Sequence, residues 1–175
     1  RALIMIHGTN RNADHYFATA MAAAFLAGAV DDAVVIAPHL IACADKPEMN
    51  EVVWSCGGHS WRSGGASTSH PDLNSFDLAD QILRKLANKN IFPNMQAIVV
   101  AGHSAGGQFV TRYEMSNRIH ETLGVPVTYV VSNPSSYAYP DKSRPSGDEA
   151  KCAGFNRWPY GLESRGNGYT SKISD

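Results

Sequence analysis

At 175 residues the chain has room for one domain built on a single substantial core. Its 15 Lys and Arg stand against 16 Asp and Glu with no run of like charge, which argues against a nucleic-acid partner or an anionic membrane surface. No stretch is long and apolar enough to span a bilayer, and 43% hydrophobic residues with 15 glycines describe a globular chain rich in turns.

The chain opens on "ALIMIHG", whose apolar run from Leu3 to Ile6 predicts a strand covered on both faces. It begins at the second residue with no capping structure before it, which mature processing or a missing amino-terminal piece would each explain. Asn12 stands where it can cap an alanine-rich helix that runs through Phe25 and Leu26 and stops at Gly28. A second β-branched run covers Val34 to Ala37. Residues 40–73, with "VVWSCGGHSWRSGGASTSHPD", are far longer than an ordinary connection and read as a functional loop over a site or a mobile excursion.

Asn74 or Ser75 can cap a second helix, in which Phe76, Ala79, Leu83 and Leu86 share one stripe while Arg84, Lys85 and Lys89 face water. Ile98 to Ala101 and Val127 to Val131 predict two more strands. Between them a third helix starts just after Ser104, carries Phe109, Val110 and Tyr113, and ends near Gly124 with Pro126 beyond. Residues 133–175 offer turn signals and aromatics but no strand. Strands alternating with helices predict an α/β fold, a mostly parallel sheet with helices on both faces, in one domain over 1–175. Right-handed crossovers set the strand order as Val34, Leu3, Ile98, Val127 and leave the Val127 side open or filled by a second polypeptide segment.

Chemistry concentrates in Gly102-His103-Ser104-Ala105-Gly106, a serine flanked two positions either side by glycine, where a strand must turn sharply into a helix. Such a turn thrusts the hydroxyl outward, and the helix start aims the Ala105 N–H at whatever the serine attacks. A second oxyanion donor is expected after the first strand, where "IMIHGTNRN" offers the N–H of Thr9 or, less favourably, Asn10.

Through "IMIHGTN", "SFDLADQILRKL", "IVVAGHSAGGQFVTRY" and "VTYVVSNPSSY" the chain resembles an α/β-hydrolase-fold serine hydrolase of the esterase and lipase kind, over roughly Ala2 to Tyr139. The resemblance implies Ser104 as nucleophile, Ala105 and Thr9 as oxyanion donors, a small-molecule ester substrate, and no metal or organic cofactor. It also implies a triad acid and histidine after the elbow, yet no histidine follows His120. His103 adjoins the serine on a turn that directs neighbours apart, His7 belongs to the oxyanion loop, and His120 is a helix away. His15 and His39 read as loop or surface residues, while His59, Trp61 and His70 in the long loop are candidates to line the substrate. Asp141 is the one acid in a position that some relatives use.

The expectation is therefore a partial chain of a larger hydrolase, with at least one strand before Arg1 and two after Asp175. Two other readings stay open: a non-catalytic binding module on the same scaffold, or a serine amidase or peptidase. Trp54, Trp61, Trp158 and Tyr160 either line an acyl or aryl pocket or pack the loops onto the sheet. Cys56, His59 and His70 suggest zinc only weakly, for want of a fourth ligand and regular spacing. Cys43 and Cys56 either pair in an oxidising compartment, which favours a secreted or periplasmic setting, or stay reduced as structural thiols, while Cys152 leaves an odd thiol.

Overall fold

The computed structural model describes residues 1–42, 44–56, 60–166 and 168–172; Cys43, Gly57, Gly58, His59, Asn167 and 173–175 lie outside the described residues. Four strands form a parallel sheet: β1 (Ala2–Ile6), β2 (Val34–Ile36), β5 (Ile98–His103) and β6 (Val127–Ser132), in the order β2-β1-β5-β6. The register pairs Ala2 with both Val34 and Ile98, and Gly102 with Val131. This is the expected order, and it sets the carboxyl end of β5 beside that of β1.

The connection from β1 to β2 runs one way along the sheet and the later ones run the other way. Right-handed crossovers then put α1 (Ala13–Leu26) on one face and α2 (Ser75–Ala87) with α3 (Ala105–Ser116) on the opposite face. Along β1, Ala2, Ile4 and Ile6 are buried while Leu3 and Met5 are half-buried, so the α2–α3 side carries the main core. There Phe76 of α2 meets Phe109 and Tyr113 of α3 with ring centroids 5.2 and 5.5 Å apart.

Local signals account for most helix ends. Asn74 accepts from the N–H groups of Phe76 and Asp77 while Asp77 reaches back to the Asn74 N–H, a complete capping box. Asn12 occupies the corresponding position of α1 without capping it; its amide lies 3.2 Å from His15 Nδ1 instead. The third helix ends at Ser116, well short of Gly124. Asn117 Oδ1 accepts from the N–H groups of Ile119 and His120 (2.7 and 2.9 Å), which turns the chain into a short 3-10 segment at His120–Thr122.

The long loop is built rather than loose. It holds β3 (Ile41–Ala42) and β4 (Val53–Trp54) as a small parallel pair, and a 3-10 turn at Trp61–Ser63. Cys56 is disulfide-bonded and Cys152 is free and exposed. The tail packs back as well: Tyr169 is 3% exposed and its hydroxyl, like that of Tyr113, donates to Asp80 Oδ1. At the far side of the sheet β6 has no further strand beside it among the described residues, and Val130 and Val131 are 45% and 37% exposed. Among the described residues no helix is long and apolar enough to cross a membrane.

Candidate functional site

Ser104 is the single residue between β5 and α3, with φ 56° and ψ −116°. An L residue at positive φ costs energy, so the surrounding structure must impose it. Two glycines let it do so: a Cβ on Gly102 would stand 2.2 Å from the Gly106 carbonyl oxygen, and one on Gly106 would stand 2.1 Å from that of Ile6. The Ser104 N–H donates to the Ser132 carbonyl (2.9 Å), tying the turn to β6, and the Ser104 carbonyl accepts from the Gln108 N–H (3.1 Å). The side chain is half-buried at the carboxyl end of a central strand, where open parallel sheets collect their ligands. Ala105, immediately behind it, starts α3, whose first N–H groups have no partner within the helix.

The turn after β1 comes to the same place. A Cβ on Gly8 would stand 3.7 Å from Ser104 Cβ, so the Gly8 backbone faces the serine, and exposed Thr9 follows it. This turn is tightly held. The Arg11 N–H closes on the Gly8 carbonyl (3.1 Å) and Arg11 Nη1 donates to the Thr9 carbonyl (2.9 Å). Arg11 also pairs with Asp45 of the long loop through Nε and Nη2 (2.6 and 3.1 Å). That pairing, before the Ala42 N–H that Asp45 also accepts, holds the Asp45 carboxyl below its usual range.

His7 is fully buried beneath this turn. The Leu40 N–H donates to its Nε2 (2.9 Å), so the ring proton sits on Nδ1 and is given to the Gly8 carbonyl (2.9 Å). Burial pushes its pKa down to about 4, against which the Gly8 bond works. His7 is therefore a neutral strut that ties the β1 turn to the chain after β2.

The histidines do not converge on the serine. Among the described residues none hydrogen-bonds Ser104. His103 is exposed and its Nδ1 meets Tyr16 Oη at 3.0 Å. His70 is exposed with its Nδ1 2.9 Å from Ser69 Oγ, and His59 lies outside the described residues. Trp61 is a correction to the substrate-lining expectation: it is 3% exposed and packs on His7 (5.0 Å) and Phe109 (6.2 Å) as part of the core. Trp54 is buried too, so packing wins for both, whereas Tyr160 is 50% exposed. Asp141 is exposed and accepts from the Ser143 N–H in a local turn. The disulfide takes the Cys56 thiolate out of any zinc site.

Sequence reasoning missed a polar hub behind the elbow. Arg112, 3% exposed on α3, donates to the carbonyls of Pro159 (3.0 Å) and Arg62 (3.3 Å) and to Ser136 Oγ (3.0 Å). Gln108 reaches the same hydroxyl at 2.5 Å, while its Oε1 is buried with no partner. An arginine on an apolar helix face was the available signal.

No protein-family model matches the chain, and no curated protein matches it. Among solved structures it is similar to LpqC, a poly(3-hydroxybutyrate) depolymerase from Bordetella parapertussis, at 24% identity and a TM-score of 0.55. The match covers 91% of this chain and 46% of that one, so the chain spans about half the length of its neighbour. What the likeness carries is the architecture: this chain has a mostly parallel α/β fold like that of this neighbour.

Proposed function

We propose that the chain is the nucleophile-bearing part of a serine hydrolase that cleaves carboxylic esters through an acyl-serine intermediate. One observation carries the reading: Ser104 stands alone between β5 and α3 at φ 56°, ψ −116°, a sparsely populated conformation for an L residue held at a strand-to-helix turn. Ser104 Oγ adds to the ester carbonyl carbon while its proton passes to a general-base histidine, and the carbonyl oxygen becomes an oxyanion facing the Ala105 and Thr9 N–H groups. Collapse breaks the bond to the alcohol oxygen, which leaves with that proton. Water then repeats the sequence on the acyl-serine, releasing the carboxylic acid and restoring the hydroxyl. The base belongs to a further segment that extends the sheet from the open β6 edge. Ester rather than amide cleavage is the reading that agrees with a polyester depolymerase as structural neighbour.

The second reading, a binding module that has kept the scaffold, is favoured by the lack of any histidine bonded to Ser104 among the described residues. A fluorophosphonate probe with peptide mapping separates the two. Label on Ser104 of the full-length protein, lost in Ser104→Ala, supports the hydrolase; label elsewhere overturns the assignment, and a full-length protein inert to the probe favours the binding module. Turnover of a nitrophenyl ester but not of the matching anilide distinguishes esterase from amidase.

A further inference from the structure

We infer that Tyr16 is a positioning residue for this chemistry: clasped to His103, its hydroxyl holds the turn that carries Thr9 against the Ser104 elbow. The inference rests on the ester-hydrolase reading and deepens it. The clasp joins positions 87 residues apart, from the first turn of α1 to the last residue of β5, through a Tyr16 Oη to His103 Nδ1 contact of 3.0 Å with the rings 6.3 Å apart.

Its location gives it meaning. A Cβ on Gly8 would meet Tyr16 Oη at 2.9 Å, Ser104 Cβ at 3.7 Å and the His103 carbonyl oxygen at 3.8 Å. The tyrosine hydroxyl and the serine therefore both lie against the Gly8 backbone, and a methyl group there would have to displace the Tyr16 hydroxyl. His103 is a rigid anchor because its backbone belongs to β5, paired with Ser132 of β6, immediately before Ser104.

The turn is held from two sides. Arg11 ties it to Asp45 of the long loop, and Tyr16 ties it to the elbow. The second restraint reaches the strand that carries the nucleophile, beyond the point where the β1–β5 pairing ends at Ile6 and Gly102. An oxyanion donor works when it is already placed where the charge will develop, and small misplacements are costly. Loss of the clasp should thus slow the chemical step and leave ground-state binding almost unchanged.

The test uses Tyr16→Phe, His103→Leu and the double variant in the full-length protein, which carries the segment that supplies the base, on a soluble nitrophenyl ester, with Ser104→Ala in parallel. Each single change should lower kcat by about ten- to a hundredfold, with KM within about twofold of the starting protein. The double variant should fall no further than Tyr16→Phe, since both remove one contact. His103→Asn, whose Oδ1 stands close to where Nδ1 stood and can accept from Tyr16, should recover most of the rate. Should Tyr16→Phe fold poorly, the exposed His103 position carries the test alone. Unchanged kcat in the single variants, multiplicative losses in the double, or a change confined to KM or melting temperature would overturn the clasp. If the starting protein is inactive, or Ser104→Ala matches it, the hydrolase reading itself has failed and the clasp falls with it. If activity depends on Ser104 while the clasp variants match the starting protein, only the clasp is lost.

Discussion

The Cα of Gly106 presses on the end of β1 so closely that a Cβ there would stand 2.1 Å from the Ile6 carbonyl oxygen. Both partners are backbone, so neither can swing away. Gly106→Ala must push α3 off the sheet, at a cost of about 1–3 kcal/mol or more. For a chain of this size that lowers the melting temperature by roughly 2–10 °C. A thermal melt of Gly106→Ala coincident with that of the starting protein would show that α3 is not seated in this way.

Strain at Ser104 gives the opposite sign. A residue held at a sparsely populated backbone conformation costs about 1–3 kcal/mol, and Ser104 sits at φ 56°, ψ −116°. Glycine adopts positive φ freely but loses more chain entropy on folding, which offsets part of the gain. Ser104→Gly should therefore be more stable than Ser104→Ala by about 1 kcal/mol, although both lack the hydroxyl. Calorimetry on the pair decides, and an alanine variant as stable as the glycine one would remove the strain from the account.

These two positions also show what could be read from the chain alone. The elbow was legible because strand, glycines and serine are adjacent, and the strand order is the expected one. The end of α3 was not, because the apolar pattern runs past Asn117 and only the side-chain bonds of Asn117 to Ile119 and His120 show where the helix stops. Strands of two residues, β3 and β4, are too short to carry a period. Trp61 looked like a loop aromatic because its neighbours are polar, and tertiary contact with His7 and Phe109 buries it. The pairing of Tyr16 with His103 spans 87 residues and has no local signature.

His7 predicts a pH dependence of stability. Its folded-state pKa of about 4 lies below the ordinary histidine value of 6.5, so the unfolded chain binds more protons between those values. Stability is full above about pH 6.5, falls as pH drops through that window, and stops falling from this cause below about pH 4. The total is on the order of 3 kcal/mol for one buried imidazole. Melting temperatures taken from pH 7.5 to 4 should decline, and His7→Gln, which carries no titrating group, should decline less steeply across the same range. Parallel curves for the two proteins would assign the acid sensitivity to other groups.

Arg112 makes the last prediction. Its guanidinium is buried on α3 with no carboxylate paired to it among the described residues, and carbonyl dipoles of Pro159 and Arg62 with the Ser136 hydroxyl take the place of a counter-ion. Desolvation, then the neighbouring charge of Arg62, depresses its pKa to about 10, which still leaves it charged at neutral pH. Three separate stretches, around Arg62, Ser136 and Pro159, are thus fastened to the helix that begins at Ser104. Arg112→Met would leave those acceptors buried without a donor, at about 1–3 kcal/mol for each one that water cannot reach. Arg112→Lys should recover little, because one ammonium on a flexible stem cannot meet acceptors that a planar fork reaches in different directions. Both variants should melt several degrees lower and be nicked by protease at residues 60–65 and 156–160 before the sheet is cut. A lysine variant that melts with the starting protein and resists nicking would show that charge alone, and not the fork, holds these loops over the elbow.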